Sequence, residues 1–480
     1  MNKKAVIKNI LTKGPIATYR LKKQRDYIRD REKKIIDALD ALISNYCLTS
    51  EGFDALFKII SDYEEISGTK ELRVAKNDLT KRFHEKLYSL ESSDFLKEIR
   101  SECIKKRIPL IYSRESKSSS IEKKKAVFLQ PRKGLNQAFK TMFNYLVDKG
   151  YDCILFELGR GMVPSSVYFY NALCFAKEAA KAKVVFFHES NDLLGHTMIR
   201  DDQKVVQLWH GCGIFKKIGL STAGQKGYKS LEKYQEYPEY NYYSCVTIAG
   251  EELAWVFEEF MGIAPDSNVI KPIGVSRTDV FFDQDYIDAC YKKLYERIPE
   301  ARNKKVILYA PTYRGLDPNR TAPNELDLTE MANRLMEDHV LIIKHHQTVV
   351  DLPSIPENLK NSFVFDMTRG SGMDISELMT VSDVCVSDYS SLIFEFALFE
   401  RPVAFFAYDL DDYIDNRGLY YDYDEITPGP VCKTTEELCD YLESLREGFD
   451  SSEITAFKNR FMNACDGHST ERIVRYIEED

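Results

Sequence analysis

Four stretches of this chain place chemistry-bearing side chains directly after short apolar runs. In VVQLWHGCGIFKKIG, residues 205–219, an apolar run ends at Trp209 and His210 follows at once, with Gly211 and Gly213 permitting an unusual backbone path. A histidine at a strand end titrates near neutrality and can act as a general base, and Lys216 and Lys217 can meet a phosphate. Read alone, His210 is more often a hydrogen-bonded structural residue. In KVILYAPTYRG, residues 305–315, Thr312 and Arg314 stand at the mouth of the run, and an arginine fork suits bidentate phosphate binding, a plain turn residue being the alternative. In HVLIIKHHQTV, residues 339–349, Lys344, His345 and His346 end the run. Adjacent histidines point in opposing directions and no third ligand has recognisable spacing, so contact with an anion is the better reading than zinc.

The fourth stretch is DVCVSDYSSLIFEFALFERPVAFFAYD, residues 383–409. An apolar run, a small polar cluster and apolar residues at helical spacing before Arg401-Pro402 predict strand, tight turn, helix and strand. The unpaired N–H groups and positive dipole of such a helix start stabilise an anion, and the Ser390 and Ser391 hydroxyls add donors. Asp388 or Ser390 acting only as a helix cap is the plainer alternative.

These stretches must be positioned by something larger. Apolar runs at 126–129, 153–158, 184–187, 205–209, 246–249 and 269–273 alternate with helix-like segments, and a second series follows at 306–310, 340–343, 363–365, 384–386 and 403–406. That alternation predicts two α/β domains with parallel sheets, in which ligands sit at the carboxyl ends of the strands. Before them, residues 35–108 show helical periodicity with little Gly or Pro. We therefore expect a basic helical module over 1–112, a Ser/Lys-rich linker at 113–125, domains at 126–300 and 301–452, and a last helix within 453–480.

Of the 480 residues, 44% are hydrophobic, which is ample for such cores, and the net charge of −9 argues against general nucleic-acid binding. Residues 1–34 nevertheless hold twelve Lys/Arg against three Asp/Glu. Near an anionic leaflet each contributes roughly 1 kcal/mol, so a membrane surface is an expected partner, with a solvated helix face as the alternative. Eleven cysteines without CxxC pairs, no signal peptide and no long apolar window predict reduced thiols and a cytoplasmic protein, peripheral at most.

The chain resembles the CDP-glycerol:poly(glycerophosphate) glycerophosphotransferase family of teichoic acid and capsule synthesis. The resemblance rests on WHGCGIFKKIG, GVSRTD at 274–279, YAPTYRG, KHHQ, and the run from DISELMTVSDVCVSDYSS through RGLYYDYDEITPGPV. It implies a GT-B-like fold of two Rossmann-like domains facing a cleft, with CDP-glycerol held mainly by the second and no tightly bound cofactor, a divalent cation remaining open. By the same resemblance His210 is the general base. Arg314, His346, Ser390 and Ser391 lie near the pyrophosphate and Glu395 meets the ribose, while Thr312, Lys344, Asp388, Lys216, Lys217 and Arg277 are further substrate-binding candidates. The acceptor is expected to be a lipid-linked or polymeric glycan. CDP-ribitol as donor, a nucleotide-sugar GT-B transferase and a non-catalytic envelope-assembly partner are the alternatives. The sequence departs from the family pattern at Cys212, Ser276, Lys344 and Gln347, and it is silent on oligomeric state.

Overall fold

The structure, a computed structural model, describes residues 15–67, 76–315, 320–346, 349, 351–370 and 372–479. Residues 1–14 of the basic stretch and Gln347 of the KHHQ run therefore lie outside the described residues. The chain divides into two compact units, each discontinuous in sequence. One comprises Met1–Gly134, Ile154–Ala182 and Asp192–Arg200, the other Leu135–Cys153, Lys183–Asn191 and Asp201–Asp480.

In the first unit, helices Ser50–Ser67 and Ser93–Glu102 bury apolar residues at three- and four-residue spacing, Phe53, Leu56, Phe57 and Ile60 on one, Phe95 and Ile99 on the other. The Phe53 and Phe95 rings lie 6.1 Å apart. Residues 113–125, expected as a linker, are instead the end of helix Ile108–Ser118 and the start of strand β1 (Glu122–Gln130), which lies beside β2 (Asp152–Glu157). Their serines and lysines made the segment read as unstructured, but Tyr112 is buried at its start. At its end the buried Lys125 ammonium is paired with Glu178 at 2.6 Å and Glu122 at 3.3 Å. The polar composition marks a solvated face on ordered elements. No helix among the described residues is long and apolar enough to cross a membrane.

In the second unit, β3 (Ala182–Phe187), β4 (Lys204–Gln207), β5 (Cys245–Thr247) and β6 (Ile270–Lys271) pair in parallel in that order. A second parallel sheet is built from β7 (Lys305–Tyr309), β8 (His339–Ile343), β9 (Val364–Asp366), β10 (Val384–Ser387), β11 (Val403–Phe406) and β12 (Val431–Cys432). Its order is β12-β11-β10-β7-β8-β9, so that, counted from β7, strand order reverses between the first and fourth strands. This is the doubly wound Rossmann arrangement. In register, Leu308 faces Cys385 and Tyr309 faces Val386, which brings the loops leaving β7 and β10 out side by side. The apolar runs read from the sequence are the strands. β12, only two residues long after Gly429-Pro430, is too short to show a period.

Two features set the position of the loop after β4. The strand ends at Gln207 instead of Trp209, because Trp209 adopts φ 55°, a left-handed conformation costly for a bulky residue, and its N–H bonds to the Gln207 side chain at 3.0 Å. Farther on, Lys216 bridges Leu419, Lys217 N–H donates to the Gly418 carbonyl at 3.2 Å, and Tyr420 N–H to that of Phe215 at 3.1 Å. This antiparallel strap ties the loop to the segment after helix Leu410–Arg417. Gly213 lies flat against the Phe394 ring, with no room for a Cβ.

The expected single last helix is two, Ser452–Phe461 and Ser469–Glu478, separated by a turn with Gly467 at φ 90°. Phe457 and Phe461 pack on Phe394 beside the second sheet, while the Tyr476 hydroxyl donates to the Ser244 carbonyl just before β5. The chain thus crosses from the second sheet back to the first. Its return is fixed by Asp279, whose carboxylate accepts from Ser469 N–H at 3.1 Å and Thr470 N–H at 2.7 Å. Asp279→Ala should cost about 1–2 kcal/mol through loss of this charged cap, read as a lower urea midpoint at unchanged m. Gly213→Ala should displace the β4 loop and reduce whatever activity His210 supports. The double variant Gly213→Ala, Phe394→Ala should recover part of that activity by reopening the space.

Candidate active site

The reversal point of the second sheet is built around Asp388. Its carboxylate is 1% exposed and accepts from Thr312 N–H at 2.8 Å and Tyr389 N–H at 2.6 Å through one oxygen, and from Arg314 at 2.9 Å through the other. Asp388 therefore clasps the loop after β7 to the loop after β10. Arg314 was expected to offer its fork to a phosphate. The fork is instead closed on Asp409, Nε to Oδ2 at 2.6 Å and Nη2 to Oδ1 at 2.9 Å, with Tyr389, Tyr408 and Tyr413 around the guanidinium. Burial opposes its charge, but the two carboxylates outweigh that and raise its pKa. Arg314 holds the loop in shape. Thr312 keeps a buried hydroxyl without a hydrogen-bond partner among the described residues.

Other basic side chains do converge here. Around the Tyr313 ring stand the Arg320 guanidinium at 4.4 Å, the His346 ring at 5.1 Å and the Lys216 ammonium at 6.0 Å. His345 is buried and His346 exposed, the opposed orientation expected of neighbours leaving a strand. Lys344 turns inward and donates to the carbonyls of Met367 at 2.6 Å and Met373 at 3.1 Å, its pKa lowered by burial, so it braces a loop. Lys217 contributes its backbone to the strap. Ser390 and Ser391 are partly exposed at the start of a helix that runs only Leu392–Phe396 before tightening at Ala397–Phe399. So short a helix supplies little dipole, and their contribution is hydroxyl and N–H donors.

His210 sits in the loop that follows β4 with its ring exposed and tilted against Trp209, centroids 4.7 Å apart. Nδ1 lies 2.9 Å from the His188 carbonyl, which can only accept, so Nδ1 carries the proton and Nε2 is the basic nitrogen. Although the ring reaches solvent, dense surrounding protein disfavours the imidazolium and lowers the pKa. Arg277 adds to this, while the His188 carbonyl and Glu189 oppose it. The resting form is a neutral imidazole. His188, which directly follows β3, is 2% exposed with its ring edge-on to Phe139, and burial pushes it down to about 3.

Arg277 joins this histidine to the second sheet. Its Nη1 donates to the His210 carbonyl at 2.5 Å, its Nη2 to the Ser376 hydroxyl at 3.1 Å, and the same Nη2 lies 3.0 Å from Glu395 Oε2. Glu395 is 3% exposed and burial raises its pKa against the pull of Arg277. Its carboxyl is turned to Arg277 and Cys212 instead of outward toward a ribose. Behind them Cys212 and Cys465 are both buried in contact, which lowers the Cys465 pKa while burial raises that of Cys212.

The sequence reading missed Tyr313, Arg320, Ser376 and His188. Only His188 carried a signal, a histidine directly after an apolar run. Among the described residues no group of three or more His, Cys, Asp or Glu is placed to hold a metal ion.

Comparison with known proteins bears on the same residues. The model of the CDP-glycerol:poly(glycerophosphate) glycerophosphotransferase family matches residues 110–479. The teichoic acid poly(ribitol-phosphate) polymerase of Bacillus spizizenii is 33% identical over 307 residues, covering 64% of this chain and 48% of that protein. The teichoic acid glycerol-phosphate primase of Bacillus subtilis is 31% identical, covering 58% and 69%. The chain thus spans about half the length of the polymerase and more of the primase. Among solved structures, the wall teichoic acid polymerase TagF superposes with a TM-score of 0.63 at 22% identity over 80% of this chain and 95% of that one, which shows a shared GT-B-like fold. On the family match, over the segment that carries every residue of the candidate site, this chain belongs to the CDP-glycerol:poly(glycerophosphate) glycerophosphotransferase family.

Proposed function

We propose that this protein is a glycerophosphotransferase that moves glycerol phosphate from CDP-glycerol to a hydroxyl of a teichoic-acid-like or capsular acceptor and releases CMP. The observation that carries the reading is proximity. One side chain, Arg277, touches both the His210 carbonyl and Glu395, one turn beyond Ser390 and Ser391. A base and a phosphate-binding loop thus lie within a single arginine's reach. Family membership and the TagF crystals soaked with CDPG support the donor class.

In this mechanism His210 Nε2 takes the proton of the acceptor hydroxyl as its oxygen attacks the β-phosphorus. The new P–O bond forms as the bond to the bridging oxygen breaks, and that oxygen leaves with CMP. His346, Lys216 and Arg320 around Tyr313, with the Ser390 and Ser391 donors, stabilise the charge gathering on the phosphates. Arg314 and Asp388 keep those loops in place. The basic N-terminal residues would hold the protein at an anionic leaflet beside a lipid-linked acceptor.

CDP-ribitol is a second reading, favoured by the ribitol-phosphate polymerase and primase among the relatives. Incubating purified protein with each donor and candidate acceptors, and measuring CMP release and product mass, separates the two; release from neither overturns the proposal. His210→Ala should lower kcat by about 10²- to 10⁴-fold, and a loss under about tenfold with CMP binding intact removes the base role. Because the His210 pKa is held below 6.5 and the neutral ring is the active form, kcat/KM should fall only as pH drops below that value. An acidic limb above pH 7 contradicts the assignment.

A further inference from the structure

We propose that Arg277, gripped by Glu395 and Ser376 from the second sheet, is a positioning residue that sets the place of His210, and that it does not contact the substrate. The proposal rests on the catalytic reading of His210 given above.

Arg277 lies on the short 3-10 segment Ser276–Phe282, between β6 and helix Gln284–Arg297. Its guanidinium spans three elements. One arm holds the carbonyl of His210 itself, and the other meets Ser376 on helix Ile375–Val381 and Glu395 on helix Leu392–Phe396. The Arg277 side chain is 11% exposed and that of Glu395 4%, so neither is presented to solvent as a ligand would require. The helix bearing Ser376 is fixed by a capping box, Asp374 accepting from Glu377 N–H at 2.9 Å and Glu377 from Asp374 N–H at 2.9 Å. The anchor is therefore rigid. It is also incompletely satisfied: Arg277 Nε and Glu395 Oε2 are buried without a hydrogen-bond partner among the described residues, and the 3.0 Å ion pair lacks hydrogen-bond alignment. Such a group is expensive to bury, and a residue kept for stability alone would have its donors matched.

The other charged or titratable groups facing His210 are the His188 ring and Glu189, on the segment leaving β3. Arg277 is the cation of the set. It thus acts on His210 in two ways, fixing the backbone that aims Nε2 and repelling a proton from the ring.

Arg277→Gln removes both effects and Arg277→Lys removes only the fork. With CDP-glycerol, or whichever CDP-polyol the protein turns over, Arg277→Gln should lower kcat by about 10²-fold at a donor KM within about twofold of the parent, as expected for a misplaced catalytic group. The acidic limb of kcat/KM should move to higher pH. Arg277→Lys should leave that limb in place and recover part of kcat.

The His210 titration followed by NMR in histidine-labelled protein, assigned from the signal missing in His210→Asn, needs no substrate. It should shift upward in Arg277→Gln and follow the parent in Arg277→Lys. If Arg277→Gln does not fold, Ser376→Ala, which frees one arm without removing charge, should lower kcat severalfold at unchanged KM. The proposal is overturned if the His210 titration in Arg277→Gln matches the parent, if the loss appears in KM, or if Ser376→Ala leaves kcat intact. A parent inactive toward both CDP-polyols would end the functional reading, while the titration would still decide the Arg277 question.

Discussion

The buried carboxylate of Asp388 is the contact on which the second sheet's binding end depends. One oxygen receives two backbone N–H groups and the other a guanidinium, so a single negative charge closes the ends of β7 and β10 against each other. Removing such a charge from water is expensive, and it is stable here because each oxygen meets a donor already aimed at it. Arg314 is held in turn by Asp409 and enclosed by tyrosines. This network is scaffolding, and it leaves Ser390 and Ser391 partly exposed beside it.

The first sheet contributes a different kind of constraint. Trp209 takes a left-handed backbone that a bulky side chain resists, and it is kept there by burial against Phe257 and Phe260. The strain ends β4 early and sends His210 out of the sheet. The His188 carbonyl then selects the tautomer. Two independent local features, one steric and one electrostatic, thus act on the same imidazole.

The sheets were legible because buried parallel strands are continuous apolar runs. The roles of individual polar residues were not. Arg314 and Glu395 look like ligands in one dimension, but each has a partner far along the chain, Asp409 and Arg277, and no local pattern announces such pairs. Arg320 was invisible for a related reason, since only the folded loop brings it over Tyr313. The segment 113–125 misled in the opposite sense, its polarity describing one face of a helix and a strand that are otherwise well packed.

The strap from Lys216 to Tyr420 bears on the timing of disorder. A free loop over 208–218 would lose conformational entropy each time it was ordered around a reacting group, roughly 1–2 kcal/mol for every residue fixed. Stitched to residues 418–420 and pressed by Phe394, this loop gives up that freedom once, when the chain folds. The His210 imidazole is thus already held in place once the chain has folded.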